Sequence, residues 1–214
     1  MGGGRPHCRF WTSRVNTPAH LILAAGLFAR PGQPRANAMV LAGAMIPDIS
    51  IVVMIAWQHW IVGHPLREVF EQDFRADFWQ GVFAVDNSIP LWGLALGLAL
   101  LNGRRALALC AAAALVHLAL DLPLHNEDAR RHFWPLSDWM YRSPLSYWDA
   151  ARHAGVIRPI EAAASIALCI LLWRRFARPG PRALIALGAA AELAPTMLIP
   201  AFPSLLAAAL QAGA

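Results

Sequence analysis

Lysine is absent from this chain: all 18 basic residues other than histidine are arginine. The arginines lie between apolar runs rather than in one patch, so the basic balance bears on membrane topology and gives no case for a nucleic-acid partner. Charge is scarce as well, 14% of residues against 57% hydrophobic, where soluble domains carry roughly 25% charged residues. That excludes an ordinary water-facing surface over most of the chain. The three cysteines, Cys8, Cys110 and Cys169, are far apart and two of them fall inside apolar runs. They exclude a disulfide framework and a cysteine-held metal cluster. There is no Walker-type glycine-rich loop and no nucleophile elbow to support those chemistries.

What is present is a series of apolar segments, several near the roughly 20 residues that cross a bilayer core. The mean hydropathy is +0.44. Segments are expected at 16–29, 38–62, 89–101, 104–122, 159–173 and 183–199. Asn16 or Thr17 can cap the first, with Pro18 in its first turn. Pro47 should kink or break the second, and Asp86-Asn87-Ser88 should cap the third. The fold class predicted is all-α: a polytopic membrane helix bundle of about five to six apolar helices. Residues 16–214 form one integral membrane domain, with no linker or internal repeat to divide it. Between the segments lie two long mixed loops. In 63–88, Phe70, Phe74, Phe78 and Trp79 are spaced as in an amphipathic interfacial helix. The aromatic-rich loop 123–158 is expected to fold back over the bundle at the interface.

Three connections, 30–37, 102–105 and 174–182, hold arginine and no acid. The positive-inside rule places them in the cytoplasm and both long loops outside. The arginine-bearing leader 1–15 fits this poorly. It reads as a disordered leader or a misassigned start, with Val15 as the true first residue, or less well as a signal peptide cut after Ala36-Asn37-Ala38. The localisation implied is the bacterial inner (cytoplasmic) membrane, multi-pass, with the lipid bilayer as partner.

The chemistry concentrates in 116–139. His117, Asp121 and His125 recur at four-residue steps, which stacks them on one face of a helix. Imidazole and carboxylate on one face are what a divalent metal needs. Two or more of the three binding a metal stands beside a structural hydrogen-bond network and a proton or ion path. Asp48 falls near the middle of an apolar segment, where an unpaired charge costs ~2.5–3.5 kcal/mol. Asp128 and His132 repeat the four-residue step more weakly, and with Glu127, Arg130 and Arg131 they read as a solvated face.

In order along the chain, Thr17-Pro18-Ala19-His20, Gly43-Ala44-Met45-Ile46-Pro47-Asp48, and His117 to His125 followed by Phe133-Trp134-Pro135 resemble a bacterial family. Its members are inner-membrane proteins predicted to be membrane-bound metal-dependent hydrolases. The resemblance covers about half the chain. It implies metal binding by His20, Asp48, His117, Asp121 and His125, with zinc the expected ion. Where the family has a T-H-S motif this chain has Asp86-Asn87-Ser88, so the usual histidine is missing. Asp86 is then a substitute oxygen ligand, or the ion or the activity has been lost. As a hydrolase the chain would use Asp86 or Asp48 as base, and Arg130 and Arg131 would receive a phosphate-bearing headgroup of a lipid or another amphiphile. The alternative is a non-catalytic membrane protein that binds or transports a metal ion or small solute.

Overall fold

A computed structural model of the chain describes residues 17–147 and 149–194. The leader, its Asn16 cap, and the end of the last apolar segment with Pro195, Pro200 and Pro203 lie outside the described residues. Among those described there is no strand. The helices are α1 (Thr17–Phe28), α2 (Pro34–Ile55), α3 (Leu66–Glu71), α4 (Asp77–Asp86), α5 (Ile89–Leu101), α6 (Arg105–Asp121) and α7 (Ala154–Arg175). Residues 179–194 are helical again. Three helical stretches are long and apolar enough to cross a membrane: Pro34–Val62, Asp77–Leu101 and Ala154–Arg175. Five to six crossings are therefore more than helix length alone supports here.

Pro47 does not break its helix. It lies inside α2, which continues into a π-helical stretch, Ala56–Val62. The proline lacks the N–H that would have closed onto the preceding turn and crowds the carbonyls there. Two carbonyls beside the proline have partners from elsewhere in the chain: Ala44 O, in that preceding turn, accepts from His117 Nδ1, and the proline's own O accepts from Asn87 Nδ2. The expected interfacial helix is also different. It is cut into α3, a 3-10 turn (Asp73–Arg75) and α4. Trp79 turns inward, buried with Val69 and Phe83 against Met54, and Phe74 packs on them, while Phe78 stays exposed. The cap at Ser88 is as the sequence suggests: its hydroxyl accepts from Leu91 N, and Pro90 follows in the first turn.

The crossing of α2 and α6 sets the register of the whole bundle. Gly43 lies so close to α6 that a Cβ there would sit 2.0 Å from Cys110 O. Ala44, Ala111, Ala113 and Ala114 are buried beside it. Small residues let two helix backbones approach closely, which in lipid is the main source of helix–helix packing. Here that approach brings His117 of α6 to the Ala44 carbonyl of α2. On the other side α1 is fixed by α7, whose Arg175 Nη1 donates to Gly26 O at 2.8 Å and Ala29 O at 3.0 Å. That satisfies carbonyls left open at the end of α1.

The chain direction follows from these contacts. The short turns 29–33, 102–104 and 176–178 gather at one end of the bundle, with the arginines. The start of α1 and the end of α6 meet α2 at the other, where Thr17 Oγ1 donates to Asp48 Oδ2. The long segment 122–153 closes over that second end. Ile89 N donates to His132 O, Ser88 Oγ to Trp134 O, Arg131 Nη2 to Gln80 O, and Ser143 N to His125 O.

A candidate metal centre

At the closed-over end, one carboxylate has three imidazoles around it. Asp121 ends α6. Its Oδ1 is 3.1 Å from His20 Nε2 and 3.3 Å from His125 Nε2, and its Oδ2 is 3.1 Å from His117 Nε2. Asp48 adds a second carboxylate, with Oδ1 3.7 Å from His117 Nε2. His20 comes from α1, Asp48 from α2 and His117 from α6, while His125 lies just past the end of α6. His20, His117 and Asp121 are buried, and together they could hold a metal ion.

The protons of this cluster are informative. His117 Nδ1 lies 2.7 Å from Ala44 O, a carbonyl that can only accept. The Nδ1 therefore carries hydrogen, and in the neutral ring Nε2 is a bare lone pair. That lone pair faces two carboxylates, which are acceptors too. His125 repeats the pattern: Nδ1 donates to Asp128 Oδ2 at 2.6 Å and Nε2 faces Asp121. Oδ1 of Asp121 is buried and makes no hydrogen bond, despite the two ring nitrogens beside it, and His20 Nδ1 is buried without a hydrogen bond. Lone pairs turned toward one another at this range need a cation between them, either protons or a metal.

The donor set fits a metal. Ligands about 2.0–2.1 Å from a tetrahedral zinc are separated from each other by about 3.3 Å. The shorter nitrogen–oxygen separations here, 3.1 to 3.3 Å, are close to that edge length. The outer partners also match the usual support of ligating histidines, a backbone carbonyl for His117 and a carboxylate for His125, which orient each ring and raise its basicity. Without a metal, protons take the place. Burial works against a charged His125 ring, but the carboxylates of Asp121 and Asp128 outweigh it, and the pKa is pushed up to about 10. Burial likewise opposes a charged Asp128, and His125 more than offsets it, so this carboxyl is held below its ordinary range.

The five residues of the resemblance, His20, Asp48, His117, Asp121 and His125, are thus brought together. Asp86 is not among them: it ends α4 and its Oδ1 accepts from Asn87 Nδ2 at 2.8 Å. Arg130 and Arg131, paired in the sequence, separate. Arg131 is used to tie the loop down, with Nη1 on Asp138 Oδ1 and Nη2 on Gln80 O. Arg130 turns inward and is 6% exposed. His132 is buried too, with Nδ1 donating to Asn87 O; burial lowers its pKa and keeps the ring neutral. The solvated face expected for this loop therefore holds for Glu127, which is exposed, whereas Arg130 and His132 belong to an inner wall. Comparison of the chain with family models, with curated proteins and with solved structures finds no match.

Proposed function

We propose that the chain is a membrane-embedded metal-dependent hydrolase of the kind its motifs resemble. It would cross the bacterial inner membrane with five to six helices, and its centre would face the outer half of the bilayer. The observation that carries this reading is the convergence of three imidazole Nε2 atoms on the Asp121 carboxylate. Zinc suits a His and Asp donor set, and a cation of that kind lowers the pKa of a water it binds and polarises the scissile group.

The chain's own residues divide the remaining work. His20, His117, His125 and Asp121 form the donor set, with Ala44 O and Asp128 fixing the rings. Asp48 is the better-placed base, because one oxygen is anchored by the Thr17 hydroxyl while the other points to the centre. Asp86 stands back from the donor set. Access from the outer leaflet suits a lipid or another amphiphile as substrate.

The alternative is a protein that only binds or conducts an ion. Asn87 in place of the family's histidine favours loss of catalysis. Conduction has less support, because Ala24, Val40, Ala44 and Ala113 pack together as a fully buried apolar cluster. A path for ions needs polar groups through that level.

Elemental analysis of the protein purified in detergent without chelators tests the reading. Near-stoichiometric metal in the parent and none in a folded His117→Ala/Asp121→Ala double variant is the expected result. A parent that stays metal-free even when zinc is offered back refutes it.

A further inference from the structure

Resting on that reading, Arg130 narrows the kind of substrate. Its guanidinium carbon lies 4.7 Å from the centroid of Phe74 and 4.6 Å from that of Phe83, so both rings hold it. Those two rings stand 5.4 Å apart, centroid to centroid, and are tilted by 37°. The aromatic contacts hold the cation without supplying an acceptor for its N–H groups, which remain for a ligand. The residue is 6% exposed and its buried Nη1 makes no hydrogen bond.

A buried guanidinium is normally matched by a two-pronged carboxylate partner. Four carboxylates act on this charge, those of Asp128, Asp121, Asp48 and Asp86, yet Arg130 forms no salt bridge with any of them. Each is engaged elsewhere. Asp121 and Asp48 face the histidines, Asp128 bonds His125, and Asp86 bonds Asn87. A buried N–H left unpaired carries an uncompensated desolvation cost, larger when the group is charged. Such a cost is removed when a ligand supplies the acceptor.

We propose that Arg130, clamped by Phe74 and Phe83 beside the three-histidine centre, is the receptor for a phosphoryl oxygen, and that the bond cleaved there is a phosphate ester. Arginine presents a rigid fork of donors that matches phosphate. Only the inward member of the Arg130-Arg131 pair is free to do this. In the reaction the water oxygen bonds to phosphorus and the bond from phosphorus to the ester oxygen breaks. The water gives up a proton to Asp48, the departing alkoxide takes a proton from solvent water and leaves as alcohol, and Asp48 returns its proton to solvent, so that no net proton is gained or lost. Two sources share this chemistry, a membrane phospholipid and a water-soluble phosphate ester.

The test uses the full-length, zinc-loaded protein in detergent, titrated calorimetrically with inorganic phosphate against a chloride control. Its hydrolysis of p-nitrophenyl phosphate and of phosphatidic acid in vesicles is followed in parallel. The parent is expected to bind phosphate and to cleave at least one of the two esters; cleavage of phosphatidic acid alone assigns the lipid. Arg130→Gln is expected to keep its zinc and weaken phosphate binding at least tenfold, with Arg130→Lys recovering part of it. An Arg130→Gln protein with full zinc and undiminished phosphate affinity overturns the proposal and leaves the metal centre standing. So does a zinc-loaded parent that binds phosphate no better than chloride, a result that needs no variant to fold. A parent that holds no zinc removes the centre itself, and this inference with it.

Discussion

The rings of His20 and His117 stack face to face, with centroids 3.7 Å apart and planes 13° from parallel. They come from helices nearly 100 positions apart in sequence, and both point Nε2 at the same carboxylate. Two imidazoliums in that arrangement would repel at close range, so the stack favours rings that are not both charged. The stack depends on α1 and α6 both being held against α2.

Asp128 gives a graded test of that centre. It bonds the Nδ1 of His125 from outside the donor set. Partners of this type set ring orientation and basicity, and their loss costs roughly 10–100-fold in metal affinity. Asp128→Asn should therefore weaken zinc binding by that factor without abolishing it, measured by competition with a chromophoric chelator. Asp121→Asn should remove binding altogether. Equal affinity in Asp128→Asn and parent would detach His125 from the ion.

Gly43 tests the packing that positions His117. Its missing Cβ is replaced in space by Cys110 O, a backbone atom that cannot step aside. Gly43→Ala must push α2 and α6 apart, at a cost of ~1–3 kcal/mol or more for an overpacked contact. A lowered midpoint of thermal unfolding in detergent is expected, together with weaker metal binding as Ala44 O moves away from His117. An unchanged midpoint would mean that the two helices do not approach this closely.

Part of this was legible in the sequence and part was not, for a physical reason in each case. The Ser88 cap and the apolar helices follow from local chemistry, and the four-residue step of His117, Asp121 and His125 from helical geometry. Bringing His20 and Asp48 to them needs three helices to pack, and only the motif order hinted at it. Arg130 and His132 look like a water-facing stretch because their neighbours are polar. Their burial comes from distant bonds, such as Arg131 to Gln80 O and Ile89 N to His132 O. Periodicity carries no trace of such ties. That α2 runs on past Pro47 instead of breaking there was equally hidden, since the partners of the Ala44 and Pro47 carbonyls lie 73 and 40 positions away.

His64 predicts a pH dependence in the loop that follows α2. Its Nδ1 is 2.8 Å from Asp73 Oδ2 and its Nε2 3.8 Å from Glu68 Oε1. The hydrogen bond to Asp73 raises its pKa above 6.5, with burial opposing weakly and both carboxylates adding attraction. A raised folded pKa means the contribution is complete below the unfolded value and is lost as pH rises through the folded one. Hydrogen exchange across 63–76 should thus quicken as pH climbs past neutrality, beyond the intrinsic base-catalysed increase. His64→Gln should lose that extra acceleration, and an identical pH profile in the two proteins would show that the contact is not holding the loop.

Topology is open to direct labelling. The arginine-bearing turns gather at one end and the metal centre at the other, so residues 102 and 178 should face the cytoplasm while 72 and 137 face outward. All four positions are exposed in the fold, and Cys110 and Cys169 are buried. In a Cys8→Ser background, single Gln72→Cys and Ser137→Cys variants should react with a membrane-impermeant maleimide added to intact cells. Asn102→Cys and Arg178→Cys should react only after the membrane is opened. The reverse pattern would put the metal centre on the cytoplasmic side. Labelling of all four in intact cells would mean that α2, α5, α6 and α7 do not cross the bilayer in alternation. Either result would remove access from the outer leaflet.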